Sequence, residues 1–279
     1  MSLLQKILVG RWIVGTTIDE AISKSISLSD IGINSMINYL GEDTYEKKTA
    51  EFSTNIYLQL IKKIKENNLN SSIAVKPTQL GLFINKETLE KNYLKIIKTA
   101  RKNNIFVWLD MEKYTDVSNT ISLYLKYNSI GNTGICLQSY LKRTNSDLIK
   151  IIKSNGVIRL VKGAYTESKS ISYNRDDSTK NYINLMEYLF KKSNNFTLAT
   201  HDLNIIRKSF VLSKKCKINP KYAMLYGIRN NLAKKISRNH DMSLYLPFGE
   251  EWINYSYRRL RESSNIKLVL RSLFENQKI

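Results

Sequence analysis

The sequence is poor in the residues that define disulfide-rich, zinc-binding or proline-rich proteins. Its 279 residues include only two cysteines, two histidines and three prolines. Cys136 and Cys216 lie far apart and form no C-x-x-C motif, which excludes a disulfide framework and a zinc ribbon. His201 and His240 belong to no H-E-x-x-H motif, so a histidine-rich zinc site is not predicted. This cysteine usage suits a reducing cytoplasm.

Long apolar runs and several common catalytic motifs are also missing. The apolar segment at residues 7–15 is interrupted by Arg11 and precedes no small-residue cleavage site, so it is a poor signal peptide. No run approaches the roughly 18 apolar residues that span a membrane. The sequence lacks G-x-G-x-x-G, G-x-x-x-x-G-K-[ST] and G-x-S-x-G, which argues against a Rossmann site, a P-loop and a nucleophile elbow. We therefore predict a soluble protein, or one bound at most to a membrane surface.

Positive charge is what the sequence has in excess. Lys and Arg number 44 against 24 Asp and Glu, a formal net charge of +20, while 42% of the residues are hydrophobic. Such a charge suits a protein that binds nucleic acid or rests on anionic lipid. The basic residues are dispersed along the whole chain, however, which favours a solvated basic surface and no nucleic-acid partner. The hydrophobic content is sufficient for a packed core.

Short β-rich runs alternate with longer segments of helical periodicity. The eight runs are Ser35 to Tyr39, Ser72 to Lys76, Ile105 to Asp110, Gly134 to Gln138, Val157 to Lys162, Phe196 to Thr200, Tyr222 to Leu225 and Ser243 to Leu246. The helix-like segments between them are Thr49 to Glu66, Thr88 to Asn103, Asp116 to Asn128, Ser146 to Asn155, Asn181 to Lys192, Leu203 to Lys214 and Asn230 to Ser237. This alternation predicts an α/β fold, a (βα)8 barrel of the TIM type.

A single domain is expected for residues 1–279. Residues 1–31 are predicted as an N-terminal helical segment, and residues 32–279 as the barrel with its C-terminal helices, one of which covers the barrel mouth. No low-complexity linker divides the chain, and barrels of about 250 residues form one unit.

Polar side chains stand in or beside the ends of seven of the eight runs: Lys76, Asp110, Gln138, Arg159 with Lys162, His201, Tyr226 and Tyr245. The carboxyl ends of barrel strands share one mouth, where the active sites of such enzymes lie. The pattern therefore favours an enzyme over a scaffold.

Two of these positions leave alternatives open. Asp110 and Glu112 flank Met111 and suit a general base or a metal ligand, or else are solvated or capping carboxylates. His201 follows Thr200 at the end of a predicted strand, yet a lone histidine there is structural as often as it is functional.

Two pairs of cations suit anionic groups. Arg159 and Lys162 run into Gly163, which places positive charge and a permissive backbone where phosphate or an electron-rich ring would bind. Arg258 and Arg259 follow the eighth strand, and a guanidinium fork matches a substrate carboxylate. The alternative for both pairs is surface charge.

Taken together, the strand-end motifs resemble the proline dehydrogenase family. The matching segments, in chain order, are RWIVG (Arg11 to Gly15), NYLGE (Asn38 to Glu42), IAVKPTQLGL (Ile73 to Leu82), FVWLDME (Phe106 to Glu112), GICLQSYLKRT (Gly134 to Thr144), IRLVKGAY (Ile158 to Tyr165), LATHD (Leu198 to Asp202), MLYGIR (Met224 to Arg229) and YLPFGEEW…YRRLRE (Tyr245 to Glu262). They cover nearly the whole chain. Pro77, Lys113, Tyr114 and Ser139 depart from the family pattern without removing a proposed role.

The resemblance implies an FAD enzyme that oxidises L-proline to Δ1-pyrroline-5-carboxylate by hydride transfer from C5 to flavin N5. Its implied catalytic residues are Asp110 and Arg159. The implied FAD contacts are Met111, Gln138, Arg159, Lys162, Gly163, Ala164, Thr200, His201 and Glu262. The implied proline contacts are Lys76, Tyr165, Leu225, Tyr245, Tyr255, Arg258 and Arg259, with the two arginines on the carboxylate. In this family the tyrosine matching Tyr245 is associated with proline over hydroxyproline.

The resemblance also implies partners. Electrons would pass to quinone or another acceptor, and a separate pyrroline-5-carboxylate dehydrogenase would take the product, since no aldehyde dehydrogenase half is expected. Peripheral contact with the inner face of the cell membrane through the basic surface is a further hypothesis. Two other classes stay open: another flavin barrel enzyme, such as a methylenetetrahydrofolate reductase relative, and a basic module that binds nucleic acid or lipid.

Overall fold

Eight parallel strands form the core of the fold. The computed structural model of this chain describes residues 12–253. The strands are β1 (Asn34–Tyr39), β2 (Ser71–Val75), β3 (Val107–Leu109), β4 (Thr133–Gln138), β5 (Val157–Val161), β6 (Phe196–Ala199), β7 (Lys221–Leu225) and β8 (Met242–Phe248). They close into a barrel in the order β1 to β8. The predicted (βα)8 barrel is therefore confirmed, and each predicted run coincides with a strand.

One helix precedes β1, and a helix follows each of the strands β1 to β7. The helices are α1 (Ile18–Ser29), α2 (Lys47–Glu66), α3 (Lys86–Lys102), α4 (Val117–Tyr127), α5 (Thr144–Lys153), α6 (Arg175–Lys192), α7 (Leu203–Cys216) and α8 (Asn230–Ser237). Short 3-10 turns at Tyr114–Asp116 and Asn128–Ile130 flank α4. The largest difference from the prediction is at α6, which begins six residues before Asn181, because the Asn174 side chain caps it by accepting from the Asp177 amide at 2.9 Å.

The contacts divide the chain into two compact units. One contains Met1–Val107 with Met224–Ile279, and the other contains Trp108–Ala223. In the first unit β1 pairs in parallel with β2 and with β8, so that Met36 faces Tyr245. In the second unit β4 pairs with β5, and β5 pairs with β6, which places Cys136 and Thr197 on either side of Arg159.

Burial explains why these segments fold as they do. All six residues of β4 are buried, as expected for a parallel strand that is covered on both faces. The helix α2 buries positions that recur at helical spacing, among them Ala50, Tyr57, Leu60, Ile61 and Ile64. Within residues 12–253, no helix is both long enough and apolar enough to cross a membrane.

Asparagine takes positions where glycine often ends a helix. Asn68, Asn104 and Asn155 follow α2, α3 and α5 and have φ values of 49°, 59° and 56°. Asparagine tolerates this left-handed conformation better than most residues, because its short polar side chain bonds locally. An asparagine-rich chain can therefore end these helices without glycine.

The eighth strand is longer than the sequence predicts. It continues past Leu246 through Pro247 to Phe248, opposite Asn38 and Tyr39 of β1. Proline lacks an amide donor, but the pairing with β1 continues past it, and the Leu40 amide donates to the Phe248 carbonyl at 2.8 Å. The Pro247 carbonyl accepts from the Val14 amide at 3.0 Å. Tyr245 consequently lies inside β8 rather than at its end. The predicted helix over the mouth falls outside the described residues.

Candidate active site

A buried ion pair lies in the Trp108–Ala223 unit. Arg159 is the middle residue of β5, and its Nη2 donates to Oδ1 of Asp110, which directly follows β3. The two side chains are only 5% and 11% exposed. A buried guanidinium is costly unless a carboxylate compensates its charge, so the two residues depend on each other. The structure thus brings both predicted catalytic residues together.

An aromatic ring also contacts this cation. The guanidinium carbon of Arg159 lies over the Trp108 ring, 5.3 Å from its centroid. Trp108 is the middle residue of β3 and is itself buried. The distance is within the range of a cation–π interaction, which strengthens when both groups are away from water. Sequence reasoning assigned no role to Trp108, although it stands two residues before Asp110.

Burial and charge act in opposite directions on the neighbouring thiol. Cys136 faces Arg159 across the β4–β5 pair. Burial raises the pKa of the Cys136 thiol, and the positive charge of Arg159 offsets this only in part. The thiol is therefore protonated at neutral pH and is a structural neighbour of Arg159 rather than a nucleophile.

Gln138 presents an acceptor that none of the described residues uses. It ends β4, and its Nε2 donates to the Met111 carbonyl at 3.2 Å. Its Oε1 is buried and has no hydrogen-bond partner among residues 12–253. A buried acceptor without a donor costs free energy, so this oxygen is suited to an N–H group of a bound molecule.

A second, more exposed ion pair follows β5. The Nζ of Lys162 lies 3.2 Å from Oδ2 of Asp202 and 2.9 Å from the Thr179 hydroxyl. Asp202 also begins α7, where its carboxylate accepts from the amides of Asn204 and Ile205. Burial raises the pKa of Asp202, but Lys162 and these amides outweigh it, so the pKa falls below its ordinary value of 3.8.

The loop after β5 is attached to the loops after β3 and β4. The Lys142 ammonium donates to the carbonyls of Lys169 and Ser170, at 2.8 and 3.1 Å. The Tyr114 amide donates to the Glu167 carboxylate at 2.8 Å. These contacts fix a loop that carries Gly163, Ala164 and Tyr165, three of the residues that the sequence assigns to the site.

Gly163 is held against an aromatic ring. Its φ is 105°, and a Cβ added there would clash with the ring of Tyr140. The backbone is tied at the same place, because the Tyr140 amide donates to the Lys162 carbonyl at 3.0 Å. Burial and the nearby Glu167 carboxylate raise the pKa of the Tyr140 phenol, so it is neutral. Only glycine fits this conformation and this space.

Thr200 and His201 follow β6 directly. The Thr200 amide donates to the Ala223 carbonyl at 3.2 Å, and its hydroxyl accepts from the Asp202 amide at 3.1 Å. Thr200 is buried, whereas His201 is partly exposed, as are Ala164 and Tyr165. The sequence-predicted residues of this unit therefore all lie in strands β4 and β5 or in the segments that follow β3, β5 and β6.

The other unit, Met1–Val107 with Met224–Ile279, holds a buried lysine. Lys76 follows β2, and its Nζ lies 3.6 Å from Glu42 Oε2 and 3.4 Å from the Gly41 carbonyl. The side chains of Lys76 and Glu42 are 10% and 15% exposed. Glu42 was part of the NYLGE motif but received no role from the sequence, because nothing local shows that the two loops meet.

A hydrogen-bond network supports the loops on either side of Lys76. The Tyr57 hydroxyl donates to Gln79 Oε1 at 3.1 Å, and Gln79 Nε2 donates to the carbonyls of Tyr39 and Leu40. A Cβ at Gly41 would lie 2.8 Å from Gln79 Nε2, so the glycine permits this close approach. Lys76 is therefore held in place by groups that lie about 35 residues earlier in the chain.

Two further candidate site residues of this unit, one aliphatic and one aromatic, lie in β7 and β8. Leu225 ends β7, and Tyr245 lies inside β8; both are partly exposed. The Tyr226 amide donates to the Tyr245 carbonyl at 3.1 Å, which connects the end of β7 to β8. Tyr255, Arg258, Arg259 and Glu262 fall outside the described residues. Among residues 12–253, no group of three or more His, Cys, Asp or Glu residues is arranged to hold a metal ion.

Comparisons with known proteins agree on one family. A family model described as proline dehydrogenase matches residues 21–271. Proline dehydrogenase 2 of Bacillus subtilis (strain 168) is 31% identical over 275 residues, covering 96% of this chain and 91% of the relative. The proline dehydrogenase of Deinococcus radiodurans is 33% identical over 269 residues, covering 92% and 86%.

Solved structures agree on the fold. Proline utilization A from Bdellovibrio bacteriovorus, inactivated by N-propargylglycine, superposes with a TM-score of 0.87 at 22% identity over 98% of this chain. The same protein from Corynebacterium freiburgense gives 0.80 at 19% identity over 97%. This chain spans about a third of those longer proteins, 34% and 33% of their lengths.

Proposed function

This chain belongs to the proline dehydrogenase family and oxidises proline in proline catabolism, and we propose that it does so with FAD as the hydride acceptor. The resemblance of the strand-end motifs to this family is confirmed. In the proposed reaction a hydride leaves C5 of proline, a proton leaves the ring nitrogen, and Δ1-pyrroline-5-carboxylate forms. Bound FAD supplies a two-electron acceptor at flavin N5.

The observation that carries the proposal is the set formed by Asp110, Arg159 and Gln138. It combines a buried cation, its carboxylate partner and a buried acceptor oxygen without a donor among the described residues. A flavin ring offers an N–H group for such an acceptor and gains negative charge on reduction, which a nearby cation stabilises. This combination of a cation, a carboxylate and an acceptor oxygen that no described residue uses therefore fits FAD. We assign Arg159 to the flavin N5 region and Gln138 to a hydrogen bond with the ring.

The remaining FAD contacts are proposed from the family motifs. They are Met111, Lys162, Gly163, Ala164, Thr200, His201 and Glu262. The half-buried Lys162 provides a positive charge, and the exposed Gly163 offers its backbone next to that charge. The Asp202 carboxylate lies 3.2 Å from the Lys162 ammonium and restrains this flexible side chain.

Proline recognition is proposed to depend on cations and tyrosines. Arg258 and Arg259 hold the carboxylate, with help from Lys76, and Tyr165, Leu225, Tyr245 and Tyr255 shape the pocket. Hydride leaves C5 readily only when the ring nitrogen is unprotonated. Asp110 and Lys76 are the candidates for control of that proton, since each is a buried titratable group beside a partner of opposite charge.

The electron acceptor and the partners belong to the proposal as well. Quinone or another acceptor takes the electrons, and a separate pyrroline-5-carboxylate dehydrogenase oxidises the product further. Contact with the inner face of the cell membrane is proposed through the basic surface, in a protein that is otherwise cytoplasmic. Binding to anionic liposomes at low salt tests that contact, and failure to bind rejects it.

An anaerobic visible spectrum of the purified protein tests the function. We expect a flavin band that bleaches on addition of L-proline and persists with hydroxyproline or a nicotinamide donor. A flavin that is reduced by the nicotinamide donor alone supports a folate-type reductase instead. A colourless protein that takes up no FAD contradicts the proposed cofactor.

A further inference from the structure

We propose that Trp108 is a positioning residue for Arg159: its indole face holds the guanidinium in place beside the proposed flavin site without cancelling the positive charge. The inference rests on the proposed function, because it assumes that Arg159 acts on bound FAD. Trp108 touches neither the substrate nor FAD in this scheme. It acts only through Arg159.

The contact between the two residues is close and dry. The Arg159 guanidinium carbon is 5.3 Å from the centroid of the Trp108 ring, and the residues are 4% and 5% exposed. Indole is the aromatic ring that binds cations most strongly, and the attraction grows when both groups are shielded from water. A packed apolar side chain such as leucine would fill much of the same volume without attracting the cation.

Asp110 and Trp108 stabilise the cation in different ways. Asp110 accepts a hydrogen bond from one terminal nitrogen, Nη2, and its negative charge offsets much of the field of Arg159. Trp108 contacts the face of the guanidinium and carries no net charge. A second carboxylate at this position would hold the cation equally well but would leave the three groups with a net negative charge. An indole therefore restricts the orientation of Arg159 and preserves its positive field.

The field of Arg159 matters because of the chemistry proposed for the site. A cation beside the flavin favours the reduced, more negative form and so raises the reduction potential of the bound cofactor. This effect depends on distance and orientation. If Trp108 holds the guanidinium, removal of the ring lets the cation reorient, and the potential falls even though Arg159 is still present.

The test compares three variants as FAD-loaded proteins. Trp108→Leu removes the aromatic face, Trp108→Phe keeps a weaker one, and Phe190→Leu removes a buried ring of the same unit that packs on Phe196. The readouts are the midpoint potential of the bound flavin by spectroelectrochemistry and the rate of anaerobic flavin reduction by proline. We expect a more negative potential and about tenfold slower reduction for Trp108→Leu, and smaller changes for Trp108→Phe. Phe190→Leu should lower the Tm and leave the potential unchanged.

A double-variant cycle separates positioning from packing. In an Arg159→Gln background there is no cation to hold, so Trp108→Leu should add no further shift in potential. An equal shift in both backgrounds, or a wild-type potential in Trp108→Leu and Trp108→Phe, overturns the inference. If Trp108→Leu does not fold, Trp108→Phe decides in the same two backgrounds. Wild-type protein that binds no FAD overturns the proposed function instead, so the two failures are distinct.

Discussion

Lys162 and Asp202 join the segments that follow β5 and β6, with Nζ 3.2 Å from Oδ2. The same aspartate begins α7, where its other oxygen accepts from the amides of Asn204 and Ile205. One carboxylate therefore fixes a helix start and a proposed cofactor-binding lysine. Its two tasks can be separated, because asparagine caps a helix as well as aspartate does but carries no charge.

We predict that Asp202→Asn changes the pH dependence of stability. The folded pKa of Asp202 is lowered, so its contribution is fully present above the ordinary value of 3.8 and is lost as the pH falls through the folded value. The variant should be less stable than wild type by about 0.5 kcal/mol at pH 7, because the pair is partly exposed. Urea unfolding between pH 7 and pH 3 should show this difference shrinking at the acidic end.

Two further variants serve as controls for that experiment. Lys162→Met removes the ion pair and leaves the cap, so it should reproduce most of the effect of Asp202→Asn at pH 7. Asp202→Ala removes the cap as well and should cost about 1 kcal/mol more. A difference between Asp202→Asn and wild type that is constant down to pH 3 would contradict the assigned pKa shift.

Gly163→Ala should be strongly destabilising. The substitution imposes a Cβ on a φ of 105° and drives it into the Tyr140 ring, which is buried and has little room to move. We expect a loss of about 3 kcal/mol or more in the free energy of unfolding, from strain and overpacking together. Gly131→Ala is the matched control, since Gly131 has a φ of 86° but no atom within 4 Å of the added Cβ.

The comparison of these two glycines isolates the clash. Gly131→Ala should cost only the strain, about 1 to 3 kcal/mol. Thermal and urea unfolding of both variants measure the difference. Equal losses at the two positions would mean that the Tyr140 ring moves aside without cost.

Gln138→Leu should weaken FAD binding without unfolding the protein. The variant loses the acceptor oxygen proposed to bind the flavin ring and the bond from Nε2 to the Met111 carbonyl. One hydrogen bond contributes about 0.5 to 1.5 kcal/mol, so the dissociation constant should rise roughly twofold to tenfold. Titration of apoprotein with FAD, followed by flavin fluorescence, gives the value. An unchanged constant would exclude Gln138 from the cofactor site.

Arg259→Met should impair proline binding and spare the flavin. A guanidinium that binds a carboxylate through two parallel hydrogen bonds contributes several kcal/mol, so KM for proline should rise at least tenfold. The flavin content and the visible spectrum should match wild type. Steady-state kinetics with an artificial acceptor measure KM, and an unchanged KM would remove this arginine from the carboxylate site.

Periodicity and composition determined the fold of this protein. Buried parallel strands need continuous apolar runs, and the helices that cover them need apolar positions at helical spacing, so IFVWLD, VIRLVKG and the segments between them predict a barrel. The same reasoning predicted where the strands end. Asp110, Gln138 and Lys162 lie at or directly after the ends of their strands, as predicted. Motif order then identified the family.

Only the tertiary structure decided which side chains meet. The partners of each site residue lie far along the chain: Asp110 and Arg159 are 49 residues apart, and Lys162 and Asp202 are 40 apart. No local pattern encodes such pairs. Trp108 stands two residues before Asp110 in a run that looks like plain core, and Glu42 precedes Lys76 by a whole helix. The sequence determines what each strand end carries, because periodicity is a local property. Closure of the barrel decides which of these groups lie within bonding distance, because that distance depends on strand order and register.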